Sequence, residues 1–458
     1  MKHYRLVIIG AGSAGLSAAE FAAGLGLGRV ALVEQEDVLG GECLHSGCVP
    51  SKAMIHAAEK HPDNPSLAWK HIRASIRNIE DRSDNVGHVE KSGVAVLRGA
   101  ASFIDRHTLR VGDAVIRSKY FLIATGSAPS VPPIEGLDAV PYLTNETFFT
   151  QKALPKRLVI IGGGPIGCEL AGAAAALGSN VTVLQSGERL LPREAANVSQ
   201  AVLEGLEAKG VHVILNADTK KVIQKDGVIQ LVVDAGDTHK LHADALLVAA
   251  GRTPRTQHLQ LEKAGVKVGK KGLATDHYQR TSRRNIYAAG DVTLSPKFTH
   301  LAGQQAGLAV RNMFSGPFKK STTSLSDIPA ITFTDPEVAR VGMDSDTAHK
   351  TKELTVLELA YSEIDRAVTD EQEGFIEVVV DEDGAIQGVT VVGSRASELF
   401  SPLLVAMHQG ITLDRLATTM FAYPTLASGL NILASRYATK QASQKATVRF
   451  MRRLWGRR

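Results

Sequence analysis

A glycine motif occurs twice in this sequence, at a constant offset of 152 residues. The motif GxGxxG begins at Gly10 and again at Gly162, each time directly after the segment RLVII. An apolar strand, three glycines at this spacing and an alanine-rich helix permit the tight turn and close backbone approach that a dinucleotide pyrophosphate requires. The repeat predicts two doubly wound, Rossmann-like units in one α/β chain.

The two copies differ in the residue that ends the next strand. In the first copy this residue is Glu34, a carboxylate that can accept hydrogen bonds from both ribose hydroxyls of a dinucleotide. In the second copy it is Gln185, which carries no charge and leaves room for a 2′-phosphate, with Arg189 nearby as a cation. The second unit is therefore predicted to favour NADPH slightly over NADH.

Two cysteines, Cys43 and Cys48, lie in a loop between the two glycine motifs. An extended loop would hold the sulfurs too far apart for a disulfide, so the loop must curl, which Gly47 permits. Cys48 is predicted to lie at the start of a helix, where the helix dipole and the nearby Lys52 would lower the pKa of its thiol. This pattern predicts a redox-active cysteine pair.

The sequence gives less support to other roles for these cysteines. Three cysteines in 458 residues do not form a structural disulfide framework. A zinc site with His45 and His56 would need a second pair of closely spaced ligands, which the sequence does not offer. No metal site is predicted, and two unreactive cysteines remain the alternative to the redox pair.

Further motifs make the chain resemble a known family. These are ATG at 124–126, AGRTP at 250–254, IYAAGD at 286–291 and IPAITFTDPE at 328–337. With the cysteine loop and the repeated glycines, this set resembles the pyridine nucleotide-disulfide oxidoreductases of the glutathione reductase, dihydrolipoamide dehydrogenase and mercuric reductase type. The resemblance extends over about residues 4–435.

The resemblance implies a fold, two cofactors and a homodimer. The expected fold has two Rossmann-like nucleotide-binding domains, one for FAD and one for NADPH or NADH, and a C-terminal α+β dimerisation domain. A linker is predicted at residues 321–327. The predicted boundaries are 1–149 with 275–325 for the FAD-binding domain, 150–274 for the NAD(P)H-binding domain, 326–436 for the dimerisation domain, and 437–458 for a basic tail.

The resemblance also implies roles for individual residues. Cys43 would be the interchange thiol that attacks the acceptor, and Cys48 the thiolate beside the flavin. Lys52 would pair with Glu169 where hydride arrives, whereas Cys168 is expected to be a small buried residue. The residues implied to contact the nucleotides are Gly10, Gly12, Ser13, Ala14, Gly15, Glu34, Gly41, Glu42, Thr125, Gly126, Gly162, Gly164, Pro165, Ile166, Gly167, Gln185, Arg189, Gly251, Arg252, Gly290 and Asp291.

The sequence departs from the family near its C-terminus. Glutathione reductases and dihydrolipoamide dehydrogenases carry a histidine and a glutamate where this chain has Tyr423 and Ser428. Mercuric reductases carry a tyrosine there, but also a C-terminal cysteine pair that this tail does not have. Tyr423 is expected to complete the partner subunit's site, with inert packing as the alternative. The predicted acceptor is a small-molecule or protein disulfide. The alternatives are a metal ion, as in mercuric reductases, and a quinone or membrane partner of a membrane-surface NAD(P)H dehydrogenase. A noncatalytic FAD-binding subunit is the alternative from another class.

The net charge of +5 resides at the C-terminal end. Eight basic residues and no acidic one occur from Arg436 to Arg458. Two interpretations stay open, a solvated basic end and a short amphipathic helix on an anionic membrane surface. Nucleic-acid binding is not predicted, because no aromatic stacking platform accompanies the charge. Without a long apolar run, the chain is expected in the cytoplasm, with peripheral contact at the inner face of the membrane as an extension of that prediction.

Overall fold

The computed structural model describes residues 1–62, 64–315, 322 and 327–444. Its contacts form two compact units. The first contains Met1–Ser186 and the described residues of Asn216–Leu325, and the second contains Gly187–Leu215 and the described residues of Ser326–Arg458. The predicted linker is described only at residues 322 and 327, and residues 445–458 of the predicted basic tail lie outside the described residues. The predicted domain boundaries remain a prediction.

The first unit begins with alternating strands and helices. These elements are β1 (Lys2–Ile9), α1 (Ser13–Gly24), β2 (Val30–Glu34), α2 (Gly41–His45), α3 (Cys48–Lys60), α4 (Pro65–Arg82), α5 (Val86–Lys91), β3 (Val94–Arg98), β4 (Ala101–Asp105), β5 (Thr108–Val111), β6 (Ala114–Ile123), β7 (Ser127–Pro129), α6 (Asn145–Phe148), β8 (Arg157–Ile161), α7 (Pro165–Ala176) and β9 (Asn180–Leu184).

The chain then contributes α8 (Ala196–Ala208) and β10 (His212–Ile214) to the second unit before it returns to the first. The returning elements are β11 (Asp218–Lys225), β12 (Val228–Asp234), β13 (Thr238–Ala243), β14 (Ala245–Val248), β15 (Arg252–Pro254), β16 (Ile286–Ala288) and α9 (Thr299–Phe314). Single 3₁₀ turns occur at Leu137–Ala139 and Gly290–Val292.

The largest sheet of the first unit has the order β3-β2-β1-β6-β5-β4, with β16 also paired to β6. Strands β3, β2, β1, β6 and β16 are parallel, whereas β4 and β5 are antiparallel. The central strand β1 is apolar at Leu6–Ile9 and fully buried there, as expected for a strand covered on both faces. Because Ile9 pairs with both Val33 and Ile123, the motifs that follow these strands meet at one edge.

The second repeat builds a smaller parallel sheet in the same unit. Strand β8 pairs with β9 and with β14, and Ile161 is level with Leu184 and Val248. The strands β11, β12 and β13 form an antiparallel sheet, and β15 pairs with β7. The α/β architecture with two repeated parallel units predicted from the glycine motifs is therefore confirmed.

The second unit contains a five-stranded antiparallel sheet of order β17-β18-β21-β20-β19. Its C-terminal elements are β17 (Ala330–Thr332), β18 (Glu337–Gly342), α10 (Ser345–Ala348), β19 (Thr355–Ala360), a 3₁₀ turn (Tyr361–Glu363), α11 (Asp365–Thr369), β20 (Gly374–Val380), β21 (Ile386–Gly393), α12 (Ala396–Leu399), α13 (Ser401–His408), α14 (Leu413–Leu416) and α15 (Ser428–Gln444). The α+β character predicted for this region is confirmed. Within the described part of the chain, no helix has the length and apolar character needed to cross a bilayer.

Candidate functional site

The two glycine turns have nearly the same geometry. Gly10 and Gly162 adopt φ of 103° and 119°, which L side chains rarely adopt. A Cβ at Gly15 would lie 1.8 Å from the Gly10 carbonyl oxygen, and one at Gly167 would lie 1.9 Å from the Gly162 oxygen. These glycines are required by contacts within each turn, so the turns are fixed in shape before any ligand binds.

The middle glycines of the two motifs have a different role. A Cβ at Gly12 would meet only the Gly41 Cα, at 3.8 Å, and one at Gly164 would have no heavy atom within 4 Å. Open space therefore lies against the N-termini of α1, which begins with Ser13 and Ala14, and of α7, which begins with Pro165 and Ile166. Both positions fit a dinucleotide pyrophosphate, because helix N-termini present free N–H groups to an anion.

The repeat extends to the side chains that follow the second strand of each unit. Glu34 Oε2 accepts a hydrogen bond from the Ala11 N–H at 2.7 Å, and Gln185 Oε1 accepts one from the Gly163 N–H at 3.0 Å. Gln185 thus substitutes for the carboxylate within the turn while carrying no charge. Arg189 belongs to the second unit, where its guanidinium lies 3.7 Å from the Asp346 carboxylate.

The cysteine pair is formed by two short segments that meet at Gly47. Cys43 lies in α2, Cys48 is the first residue of α3, and a Cβ at Gly47 would approach the Glu42 oxygen to 3.0 Å and the Cys43 Cα to 3.3 Å. The predicted curl of the loop and the predicted helix start at Cys48 are therefore present. Thr299, the first residue of α9, places its Oγ1 3.5 Å from Cys48 Sγ and 3.6 Å from Cys43 Sγ.

The two thiols have opposite tendencies to ionise. The pKa of Cys48 is lowered to about 6, first by its hydrogen bond with Cys43 and then by Thr299 and the charge of Lys52. The pKa of Cys43 is raised, first by the hydrogen bond with Cys48 and then by burial. In the reduced pair, Cys48 is therefore a thiolate at neutral pH and Cys43 keeps its proton.

A buried ion pair lies near the thiolate. Lys52, one turn after Cys48 in α3, places Nζ 2.7 Å from Oε2 of Glu169 in α7. Glu169 is 7% exposed, so its carboxylate is held by this contact in a largely dry position. Cys168 is fully buried, and burial raises the pKa of its thiol, which agrees with the prediction of a packing residue.

A second polar network attaches the cysteine loop to distant strands. Arg252 of β15 makes a bidentate contact with the Glu42 carboxylate, 2.5 Å on its Oε1 side, and its Nε lies 3.5 Å from Asp291. Ser127 donates to the same Asp291 oxygen at 2.6 Å and accepts from the Arg252 Nε at 2.8 Å. Asn145 donates to Glu42 at 2.6 Å. Arg252 and Glu42, predicted as nucleotide contacts, thus bind each other.

The remaining predicted cofactor residues lie at the carboxyl ends of the parallel strands. Thr125 and Gly126 follow β6, and the Thr125 hydroxyl donates to the Arg255 carbonyl at 2.6 Å. Gly251 lies shortly after β14, a parallel strand of the second repeat, and the N–H of Gly290, just after β16, donates to Gln305 at 2.8 Å. The edge where ligands bind in open α/β sheets therefore carries the predicted residues of the first repeat.

Tyr423 and Ser428, the departures from the family pattern, have separate partners. Tyr423 is 72% exposed, and its hydroxyl donates to Asp365 Oδ2 at 3.0 Å. Ser428 donates to the Thr425 carbonyl at 2.7 Å. Within this chain the Tyr423 side chain is thus mostly exposed, and its role stays a prediction. The pKa of Tyr423 is raised by the hydrogen bond to Asp365.

Sequence reasoning did not identify Thr299, Asp365 or Asn145. Each is a common polar residue outside any motif, and each reaches its partner across a gap of more than fifty residues. Across residues 1–62, 64–315, 322 and 327–444, no three His, Cys, Asp or Glu side chains are grouped to hold a metal ion. His56 instead lies beside His71, with ring centroids 5.4 Å apart and ring planes tilted by 38°.

Comparisons with known proteins agree with this geometry. Residues 4–306 match the family model described as pyridine nucleotide-disulphide oxidoreductase, and residues 328–434 match the dimerisation domain of that family. A mercuric reductase of Staphylococcus aureus is 36% identical over 451 residues, covering 94% of this chain and 82% of that protein.

Two solved structures are similar over nearly the whole chain. The Cu(II) complex of the HOCl-induced flavoprotein disulfide reductase RclA of Escherichia coli superposes with a TM-score of 0.88 at 32% identity, covering 95% of this chain and 100% of that one. LpdA of Mycobacterium tuberculosis gives a TM-score of 0.86 at 26% identity, covering 95% and 99%.

Proposed function

The chain belongs to the pyridine nucleotide-disulphide oxidoreductases, and on this basis we propose that it passes electrons from NADPH to Cys48 and Cys43 and then to a disulfide acceptor. As a member of this family it is a flavoprotein disulfide oxidoreductase that uses FAD and NAD(P)H and carries a dimerisation domain. Beyond family membership, we propose the roles of individual residues, a disulfide as acceptor, a preference for NADPH and the domain boundaries given above.

Bound FAD would supply the redox chemistry that connects hydride from the nicotinamide with the two-electron reduction of the cysteine disulfide. The turn at Gly12, the N-terminus of α1 and Glu34 would hold its adenosine diphosphate part, and Asp291 would meet the ribityl chain. The second turn, with Gly164 and Gln185, would hold the nicotinamide dinucleotide. Lys52 and Glu169 would orient the side of the site where hydride arrives.

The cysteine chemistry follows from the ionisation of the two thiols. Reduction breaks the Cys43–Cys48 disulfide with two electrons and one proton, giving the Cys48 thiolate and the Cys43 thiol. Cys43 then attacks one sulfur of the acceptor disulfide, and its proton goes to the thiolate that leaves. The Cys48 thiolate then attacks Cys43 Sγ in the mixed disulfide, which restores the Cys43–Cys48 disulfide. The second acceptor sulfur leaves as a thiolate and takes a proton from water.

The observation that carries this proposal is the geometry of the cysteine pair, in which Cys43 and Cys48 meet at Gly47 and Thr299 Oγ1 lies 3.5 Å from Cys48 Sγ. In this arrangement the pKa of Cys48 is lowered to about 6 and that of Cys43 is raised. Anaerobic reduction of the purified yellow protein with NADPH, and separately with NADH, should produce a thiolate–flavin charge-transfer band. Low-molecular-weight and protein disulfides should then discharge the band. The Cys43→Ser variant should keep a thiolate at Cys48 and lose disulfide turnover, and absence of the band in the wild type with either nicotinamide contradicts the proposal.

A metal-ion acceptor is the second candidate, supported by the exposed phenol of Tyr423 in place of a histidine. Relatives described as mercuric reductases and the RclA structure with Cu(II) make Hg(II) and Cu(II) the ions to offer. This function predicts NADPH oxidation that depends on the metal ion and is strongly reduced in Tyr423→Phe. Turnover with disulfides and none with either ion eliminates it.

Two assembly properties belong to the same proposal. Tyr423 would complete the site of the partner subunit in a homodimer, and the basic segment after Arg436 would bring a cytoplasmic protein to anionic membranes. Co-sedimentation with vesicles containing phosphatidylglycerol, lost on removal of residues 445–458, tests the second property. Equal sedimentation of the full and shortened chains contradicts it.

A further inference from the structure

We propose that Asp365 is a positioning residue for Tyr423, and that these two side chains replace the acceptor-side histidine–glutamate pair of related enzymes. This inference rests on the proposed function, in which Tyr423 contacts the acceptor. It assigns a role to Asp365, which lies outside every motif described above. Asp365 precedes Tyr423 by 58 residues, so no local sequence pattern links the two.

The hydrogen bond itself is well defined. Tyr423 Oη donates to Asp365 Oδ2 at 3.0 Å, and the tyrosine side chain projects from the surface at 72% exposure. A phenol that projects into solvent has several rotamers available, and a carboxylate that accepts its hydrogen selects among them. Asp365 therefore determines where the hydroxyl oxygen is presented.

Ser428, at the sequence position of the family's glutamate, does not perform this task. Its hydroxyl donates to the Thr425 carbonyl at 2.7 Å, and its N–H donates to the Thr425 hydroxyl at 3.2 Å. Both contacts stabilise the turn that starts α15. The orienting carboxylate comes instead from α11.

The residues directly before Asp365 contact α15. Ile364, directly before Asp365, is fully buried, and a Cβ at Gly429 would lie 2.4 Å from the Ile364 Cδ1. Further along α15, Arg436 lies 2.6 Å from Glu363. The segment directly before Asp365 is thus attached to α15 by the Ile364 side chain against Gly429 and by the Glu363–Arg436 ion pair.

The chemistry of this pair differs from that of a histidine. The carboxylate raises the pKa of Tyr423, so the phenol stays neutral at physiological pH and does not exchange a proton there as an imidazole does. Nearby charges are already paired, Glu363 with Arg436 and Arg366 with Asp370. With its hydrogen directed to Asp365, the phenol oxygen offers its lone pairs to the S–H group of the thiol that leaves when Cys43 attacks the acceptor disulfide.

The test separates the two half-reactions by stopped-flow absorbance of the dimeric holoenzyme. Reduction by NADPH should be unchanged in Asp365→Asn and Tyr423→Phe, whereas reoxidation by the disulfide acceptor should slow by about tenfold in each. The double variant should be no slower than Tyr423→Phe alone, because both changes remove one arrangement. Asp370→Asn, which alters the carboxylate directly after the same helix, is the matched control and should behave like the wild type.

A second measurement follows the phenol directly. The pKa of Tyr423 is obtained from ultraviolet titrations, as the difference between a protein that has Tyr423 and the same protein with Tyr423→Phe. This pKa should be lower in the Asp365→Asn background than in the wild type. A purely structural role of Asp365 would not cause that change. Asp365→Glu should recover part of the reoxidation rate. Wild-type reoxidation in Asp365→Asn, with Tyr423→Phe impaired, overturns the inference alone. Failure of every disulfide to reoxidise the wild-type enzyme overturns the proposed function instead, while the titration still decides whether Asp365 controls the phenol.

Discussion

Removal of the Thr299 hydroxyl should raise the pKa of Cys48 by about one unit. The hydroxyl lies 3.5 Å from Cys48 Sγ and is, after Cys43, the second group that lowers this pKa to about 6. A hydrogen bond to a charged group contributes about 1.5–3 kcal/mol, and exposure of Cys48 to solvent favours the lower end of that range. Since about 1.4 kcal/mol corresponds to one pKa unit, Thr299→Val should move the pKa of Cys48 from about 6 to about 7.

The assay is a pH titration of the thiolate–flavin charge-transfer absorbance in the two-electron-reduced enzyme. The thiolate is lost as pH falls through the pKa, so the wild-type band should be half-lost near pH 6. At that pH, Thr299→Val should retain only about a tenth of the thiolate. Thr299→Ser keeps the hydroxyl and should titrate like the wild type.

One result would refute this reasoning. If Thr299→Val and Thr299→Ser titrate with the same midpoint as the wild type, the hydroxyl does not stabilise the thiolate. The low pKa of Cys48 would then come from its hydrogen bond with Cys43 and the charge of Lys52. A midpoint that moves equally in both variants would indicate a change in helix α9 rather than the loss of a hydrogen bond.

Three further predictions concern the nicotinamide side and the dimer. Lys52→Met removes the cation 2.7 Å from Glu169 and should slow reduction by NADPH at least about tenfold in stopped flow, whereas reduction at the wild-type rate would show that the Lys52–Glu169 pair does not serve hydride transfer. Gln185→Glu restores a carboxylate at the end of β9 and should shift the ratio of kcat/KM values towards NADH, whereas an unchanged ratio would show that this position does not select the nucleotide. Equal amounts of Cys43→Ser and Tyr423→Phe subunits, allowed to exchange, should recover about a quarter of wild-type turnover. Half of the dimers are then mixed, and each mixed dimer contains one intact site out of two. No recovery would place Tyr423 in the site of its own subunit.

The parts of the fold that sequence determines locally were predictable. Each glycine turn needs its special backbone angle and its close contact, as Gly10 and Gly162 illustrate, so the motif carries the geometry within a few residues. The same holds for Cys48 at the start of α3, since Gly47 and the helix N-terminus are its neighbours in the chain. The apolar strands β1 and β8 follow directly from their buried side chains.

The polar partners of the site could not be predicted in this way. Thr299 approaches the cysteine pair across about 250 residues of chain, and no local pattern distinguishes it from any other threonine. Asp365 likewise precedes Tyr423 by 58 residues, and no local pattern marks it as the partner of a tyrosine. Arg252 was assigned to a nucleotide through its motif, but its guanidinium binds Glu42, a partner that only the folded chain identifies.

The Glu42–Arg252 contact has a consequence for how this sequence can vary. The side chains are 14% and 25% exposed, on the arginine and the glutamate respectively, so a single substitution would leave one largely buried charge without its partner. A change at position 42 should therefore be accepted only together with a compensating change at position 252. Among natural relatives these two positions, 210 residues apart, should covary. That covariation would show that the loop of Cys43 and strand β15 depend on each other.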